Sequence, residues 1–181
     1  MSTAPALLRK GWPDHRVKER YLEHAQSIVD AGAEFRAFQV ADRPPIERLL
    51  NERLVSDSPF TLAPEAGGIK ATGGSGLIGV VVLEGIEVPD DGVAVRVTAL
   101  AVTQEWERRG LGTVLLGMVP MFTEGIKFIY GGCAPSAAAF YQRAGYDVLQ
   151  PGELLPFHLG NGLRLGSSNP HYPAWFVRYL R

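Results

Sequence analysis

The sequence predicts a single mixed α/β (α+β) domain in which a twisted sheet is flanked by helices. Three observations predict it. Strand-type runs rich in Val and Ile alternate with runs of helical apolar spacing along most of the chain. Between residues 93 and 122 a β-branched run, a basic glycine-punctuated turn and an amphipathic run follow one another directly. The length of 181 residues suits one domain with a sizeable core, and 46% apolar with 20% charged residues is ordinary for a globular chain.

The elements follow in order. Residues 14–31 read as a helix with Val17, Tyr21, Ala25, Ile28 and Val29 on one face, Asp14 as its cap and Gly32 as its stop. Residues 34–41 alternate as a strand, with Phe35, Ala37 or Phe38, and Val40 inward. Asp42 reads as the cap of a helix that starts near Pro44 and runs through Ile46, Leu49, Leu50 and Leu54. Residues 56–76, rich in Gly and Pro, read as loop with a short strand near 60–62. Residues 77–83 are a strand, 84–92 its turn through Pro89-Asp90-Asp91-Gly92, and 93–102 the next strand. A helix is expected over 111–122, with Pro120 in conflict. A short strand at 127–130, an alanine-rich helix at 136–144 closing on Gly145, and a strand at 146–149 come next. Turns at 160–162 and 167–170 precede a last strand near 175–180.

Composition excludes several function classes. A formal net charge of −1 gives no strong pull toward nucleic acid or an anionic membrane. No stretch stays apolar for the roughly 18 residues that a membrane-spanning helix needs, and residues 1–10 lack the features of a signal peptide. The lone cysteine, Cys133, rules out an intramolecular disulfide and fits a reducing cytoplasm, the expected location. His15, His24, His158 and His171 have no metal-ligand spacing, so no metal is expected.

The segment Glu107-Arg108-Arg109-Gly110-Leu111-Gly112 carries the chemistry. A strand, a tight turn and a helix start aim several backbone N–H groups at one point, where the helix dipole is positive. Glycines let a ligand approach the backbone, and two arginines add charge, so the turn suits a phosphate or pyrophosphate. Ordinary solvated charge is the competing reading of Arg108 and Arg109. A second glycine pattern, Gly74-x-Gly76-x-x-Gly79, spells a dinucleotide fingerprint but leads into a strand rather than a helix, so that reading is set aside.

The turn resembles the acetyl-CoA-binding motif of the GNAT N-acetyltransferases, Gln/Arg-x-x-Gly-x-Gly/Ala, with Glu107 standing where the family has Gln or Arg. The stretch 133–146 resembles the later GNAT motif, Asn-x-x-Ala-x-x-x-Tyr-x-x-x-Gly-Phe. Ala137, Tyr141, Gly145 and Tyr146 match it in spacing, and Ala134 replaces the Asn. The element order matches the family from residue 34 onward. The resemblance implies a GNAT-type, mostly antiparallel twisted sheet over residues 34–181, with residues 1–33 as an added N-terminal helical extension.

It also implies transfer of an acetyl group from acetyl-CoA to a primary amine by direct attack. Arg108, Arg109, Gly110, Leu111, Gly112 and Thr113 would hold the pyrophosphate. Leu100, Ala101 and Val102 would pair with the pantetheine and supply the oxyanion donor, with Ala134 also toward the pantetheine and Tyr141 near the thiol. Tyr141 would protonate the leaving thiolate, or simply pack in the core.

A lysine-like amine, with a pKa of roughly 10.4, must lose a proton before it attacks. The strand over 93–102 has no carboxylate, so Glu84 and Glu87 at the neighbouring turn are the candidate bases, with surface charge as their plainer reading. The departures at 107 and 134 leave open an alternative, a weak or inactive acyl-CoA-binding regulatory module. Acceptors in view are a small-molecule amine or a protein N-terminus or lysine. By the resemblance, residues 157–173 flank the acceptor opening; they hold few acids, which favours a neutral-bodied or anionic amine. Many relatives dimerise, so a homodimer is also expected as a possible state.

Overall fold

The computed structural model describes residues 15–88, 92–121, 125–159 and 162–180, with His15, Glu87 and Val88 described in backbone only. The expected cap Asp14, the Pro89-Asp90-Asp91 turn, the helix end at Phe122 and the turn at Gly160-Asn161 lie outside the described residues. The strands are β1 (Glu34–Ala37), β2 (Gly67–Gly73), β3 (Gly76–Val88), β4 (Gly92–Val102), β5 (Ile126–Cys133), β6 (Asp147–Val148) and β7 (Ala174–Tyr179). The helices are α1 (His15–Asp30), α2 (Arg43–Arg53), α3 (Leu111–Met118) and α4 (Ala138–Arg143). The strands hydrogen-bond in the order β1-β2-β3-β4-β5-β7-β6. The β1–β2, β2–β3, β5–β7 and β6–β7 pairs are antiparallel. The β4–β5 pair is parallel, as the helical crossover between them requires. The sheet is therefore mixed, mostly antiparallel and open, as the sequence leads one to expect.

The chain divides into two compact units. The first holds Glu19–Glu84 and Thr98–Phe122. Its core is aliphatic: Ile46, Leu49 and Leu50 of α2 pack with Leu62, Val80, Val82, Ala99 and Ala101, and Phe38 is the one aromatic among its buried members. The α1 face is Tyr21, His24, Ala25 and Ile28, while Val29 points outward at 51% exposure, because positions 21, 24, 25 and 28 share a helical face and 29 does not. The helix ends as expected at Gly32, whose φ is +86°. The Ala33 N–H bonds to the Ile28 carbonyl at 3.1 Å, and both side chains are buried beneath this cap.

Five expectations need correction. The strand at 34–41 stops at Ala37, and Val40 enters a 3-10 turn, Val40–Asp42, with its side chain 78% exposed. Asp42 precedes α2 but does not cap it with its side chain. Its carboxylate accepts from the Gln39 N–H at 2.7 Å and pairs with Lys70 at 2.5 Å. Residues 60–62 form no strand, whereas 67–73 do, because Ile69 and Ala71 alternate into the core and pairing on both sides offsets the glycines. The supposed turn at 84–92 is largely strand: β3 runs to Val88, so Glu84 and Glu87 stand on a strand. At the other end of the unit, α3 stops at Met118 and the chain continues as a 3-10 turn, Val119–Met121, which accommodates Pro120.

The second unit holds Met1–Lys18, Gly85–Val97 and Thr123–Arg181. Its core is aromatic: Phe128, Tyr130, Phe157 and Trp175 pack with Ala94, Leu149, Leu155 and Val177. Ring pairs lock it, with Phe128 and Phe157 at 4.5 Å and Tyr130 edge-on to Trp175 at 5.9 Å. The segment expected to flank the acceptor is partly tied into this core. Leu155 donates to the Leu165 carbonyl at 2.8 Å, and Phe157 is 2% exposed. The last strand begins at Ala174, near its expected start, and the strand at 146–149 shortens to Asp147–Val148.

Candidate functional site

The glycine turn forms with one position that its residue type does not favour. Arg108 has φ +60° and Gly110 φ +85°; Arg108 is the only non-glycine in the left-handed region among the described residues. A bulky residue held there costs free energy, and such strain concentrates where geometry serves function. Gly110 is the N-cap of α3, and no side chain caps it. The helical ladder opens with the Val114 N–H on the Gly110 carbonyl at 3.0 Å. The N–H groups of Leu111, Gly112 and Thr113 lie ahead of that bond without an intrahelical acceptor, at the positive end of the helix dipole.

The charges around the turn are sorted by their partners. Glu107 is ion-paired with Arg53 of α2, which draws this carboxylate toward α2. Such a pair, with both side chains at least 30% exposed, contributes at most about 1 kcal/mol. Arg109 stacks its guanidinium 5.3 Å from the centre of the Trp106 ring. Arg108 is exposed. Two residues of α1 meet α3 here, Tyr21 of the expected inward face and His24, which the sequence did not place there: a Cβ on Gly110 would lie 2.4 Å from His24 Cγ, and one on Gly117 2.2 Å from the Tyr21 ring. The spacing of seven places both glycines on one helical face, so the extension seats against the bare side of α3. Burial raises the Tyr21 pKa.

The strand leading into the turn buries Ala99 and Ala101 in the aliphatic core and leaves Leu100 and Val102 half-buried on the opposite face. Below it, Gly79 packs bare against α3, since a Cβ there would lie 3.1 Å from Leu111 and 3.3 Å from the Ala101 carbonyl oxygen. This explains the last glycine of the dinucleotide-like pattern; Gly76 closes the β2–β3 hairpin at φ +104°. No helix follows it.

Glu84 is half-buried, and with Thr98 of β4 it lines a cavity of about 160 Å³. Segment 60–66 forms the other wall, held by three α2 side chains spaced four apart. Arg43 donates to the carbonyls of Ala63 at 2.9 Å and Pro64 at 2.6 Å, with longer bonds to Leu62 and Ala66. Glu47 accepts from the Leu62 N–H at 2.9 Å. Asn51 bonds both the N–H and the carbonyl of Phe60, at 2.6 and 3.0 Å. The (i, i+4, i+8) polar spacing of Arg43, Glu47 and Asn51 was a signal in the sequence, but their targets were not.

In the other unit, Tyr141 is 9% exposed and stacks on Phe176 at 3.8 Å with the planes 11° apart, while Phe140 and Tyr146 meet it edge-on. Burial pushes its phenol well above the ordinary tyrosine range, so the hydroxyl stays protonated and able to donate. Gly145, at φ +87°, ends α4, with Tyr146 N–H bonding the Tyr141 carbonyl at 3.0 Å. Ala134 is half-buried and begins the short 3-10 turn before α4. Burial raises the Cys133 thiol to about 11, which makes it a poor nucleophile.

No family model matches the sequence, and no curated protein sequence matches it. Solved structures do share its architecture. An acetyltransferase of the GNAT family from Staphylococcus aureus is 14% identical with a TM-score of 0.60, covering 83% of this chain and 100% of its own. Arabidopsis thaliana NAA60, solved with a bisubstrate analogue, is 16% identical with a TM-score of 0.58, covering 82% and 98%. The GNAT-family N-acetyltransferase YhbS from Escherichia coli, solved with CoA, is 21% identical with a TM-score of 0.55, covering 82% of each chain. The fold of this chain is that of the GNAT N-acetyltransferases. Among the described residues, no helix is long and apolar enough to cross a membrane.

Proposed function

We propose that the protein transfers an acetyl group from acetyl-CoA to a primary amine. The observation that carries this reading is the left-handed Arg108–Gly110 turn opening into α3, with three backbone donors in its first turn, on a fold shared with a CoA-bound neighbour. Arg108 and the N–H groups of Leu111, Gly112 and Thr113 would hold the diphosphate of acetyl-CoA. Gly110, at φ +85°, makes the turn that presents these donors, while its bare side is taken up by His24, and Arg109 adds positive charge from its place over Trp106. Leu100, Ala101 and Val102 would offer backbone groups to the pantetheine and a donor to the thioester oxygen.

In the reaction, the amine loses a proton and its nitrogen attacks the thioester carbon. The C–N bond forms, the C–S bond breaks, and the thiolate leaves as CoA. Glu84, half-buried on β3, is the proposed acceptor of the amine proton; Glu87, three residues further along the same strand, is the second candidate. Tyr141, kept protonated by burial, is the proposed donor to the thiolate. The acceptor is a small-molecule amine or a protein N-terminus or lysine, and a homodimer and a cytoplasmic location belong to the same reading.

Calorimetric titration of acetyl-CoA into the wild type and an Arg108→Ala/Arg109→Ala variant tests it, together with thiol release on adding amines. Binding that weakens about tenfold in the variant, with amine-dependent thiol release, is the expected result. Binding without thiol release from any amine would leave an acyl-CoA-binding module, and no binding would overturn both readings.

A further inference from the structure

The cavity beside Glu84 has a definite chemistry. Its apolar wall is Phe60, Leu62, Ala66 and Val82, of which Leu62 and Val82 are buried in the aliphatic core. Among the described residues, the charged groups in its lining are acidic only, Glu65 and Glu84. Its wall is braced before any ligand arrives, because segment 60–66 has its carbonyls and N–H groups bound by Arg43, Glu47 and Asn51. Bracing of this kind lowers the ordering cost of binding. Its volume of about 160 Å³ matches the body that a guest would bury there. An engineered apolar cavity of roughly 150 Å³ holds one benzene.

From the cavity's size, apolar wall and acidic rim, we propose that it binds a primary monoamine with a compact apolar body of benzene size. The ammonium would meet Glu65 and Glu84, and the body would lie against Phe60, Leu62, Ala66 and Val82. The proposal rests on the transferase reading above for its role as acceptor site, but not for binding itself. Apolar surface supplies the attraction for the body, and the two carboxylates select the charge. An amine carrying its own carboxylate would bring like charge to Glu65 and Glu84 and be refused. A longer polyamine would gain the charge contact but leave the apolar wall unfilled.

The test is calorimetric titration of benzylamine, methylamine and glutamate into the full chain, without acetyl-CoA. Three proteins are compared: the wild type, Glu65→Gln/Glu84→Gln, and Ala66→Leu, each checked for its melting temperature. Benzylamine is expected to bind the wild type, and about tenfold more weakly to each variant. Methylamine and glutamate should bind at least about tenfold more weakly than benzylamine to the wild type. No benzylamine binding, equal binding in the double Gln variant, or preference for glutamate would overturn the proposal. Thiol release from acetyl-CoA with some other amine would then still stand for the transferase. Benzylamine bound as expected, but releasing no thiol with acetyl-CoA, would instead keep the pocket and remove its role as the acceptor site.

Discussion

The two units of this chain solve the same packing problem with different residues. Around β5 and β7, aromatic rings pin one another: Phe128 against Phe157, Tyr130 against Trp175, Tyr141 against Phe176. Gly131 is bare because a Cβ there would lie 2.4 Å from the Phe176 ring and 2.6 Å from the Val97 carbonyl oxygen. Around α2 and the first strands, aliphatic side chains meet a braced loop and leave a cavity of about 160 Å³ with two carboxylates in its lining. Rings have preferred contact geometries, so they fix neighbours and leave little slack. Aliphatic groups pack without such direction, so polar braces from α2 can shape the space they leave. The lesson is that one unit fixes side chains while the other holds room for a guest.

The contrast can be broken most sharply at Phe176. Phe176→Ala removes the stacking partner of Tyr141 and should cost about 3–5 kcal/mol in denaturant unfolding. Ala66→Leu, which grows into the cavity, should stay within about 1.5 kcal/mol of wild type. Equal costs at the two sites would mean that the aliphatic unit has no slack.

Alkali separates the units next. Burial raises Tyr146 from 10.0 to about 12 and Cys133 from 9.0 to about 11, and raises Tyr141 as well, all in the aromatic unit. The folded state therefore holds protons that the unfolded chain releases. This stability is full below about pH 9 and is lost as pH rises through the folded values, with roughly 3 kcal/mol from Tyr146 alone. Chemical unfolding at a series of alkaline pH values should show the decline, and Tyr146→Phe should flatten it. A flat wild-type profile between pH 9 and 12 would count against the burial of these groups.

The brace comes third. Arg43→Ala should cost about 2 kcal/mol, since a charged donor serves several carbonyls at once, and should speed amide exchange across residues 60–66. Unchanged exchange would show that the loop stands without α2. Smallest is Glu107→Gln, which loses the pair with Arg53 and should cost under about 1 kcal/mol, in an effect that fades with salt.

Much of the fold was legible where periodicity is strong. The first helix and its Gly32 stop, the β4 run, the glycine turn and the Gly145 stop all rest on signals local in sequence. The misread places are those where distant partners overrode local composition. Residues 67–73 look like a glycine-rich loop until β1 and β3 pair on either side of them. Asp42 looks like a helix cap until Lys70 and the Gln39 N–H take its carboxylate. Glu107 looks like a lapse from the family pattern until Arg53 stands beside it. Glu65 drew no attention because nothing in its neighbours in sequence announces a cavity.

The sequence alone determined α1, α2, the β4 run, the tight glycine turn before α3 and the motif positions at 107–112 and 133–146, because backbone sterics and helical spacing act within a few residues. Tertiary structure alone decided which groups share a space. The cavity beside Glu84, the seating of His24 and Tyr21 on bare glycines, and the stacked environment of Tyr141 each join residues far apart in the chain. Those contacts form only when burial of apolar surface offsets the entropy of closing long loops, a balance struck by the whole core rather than by any one segment.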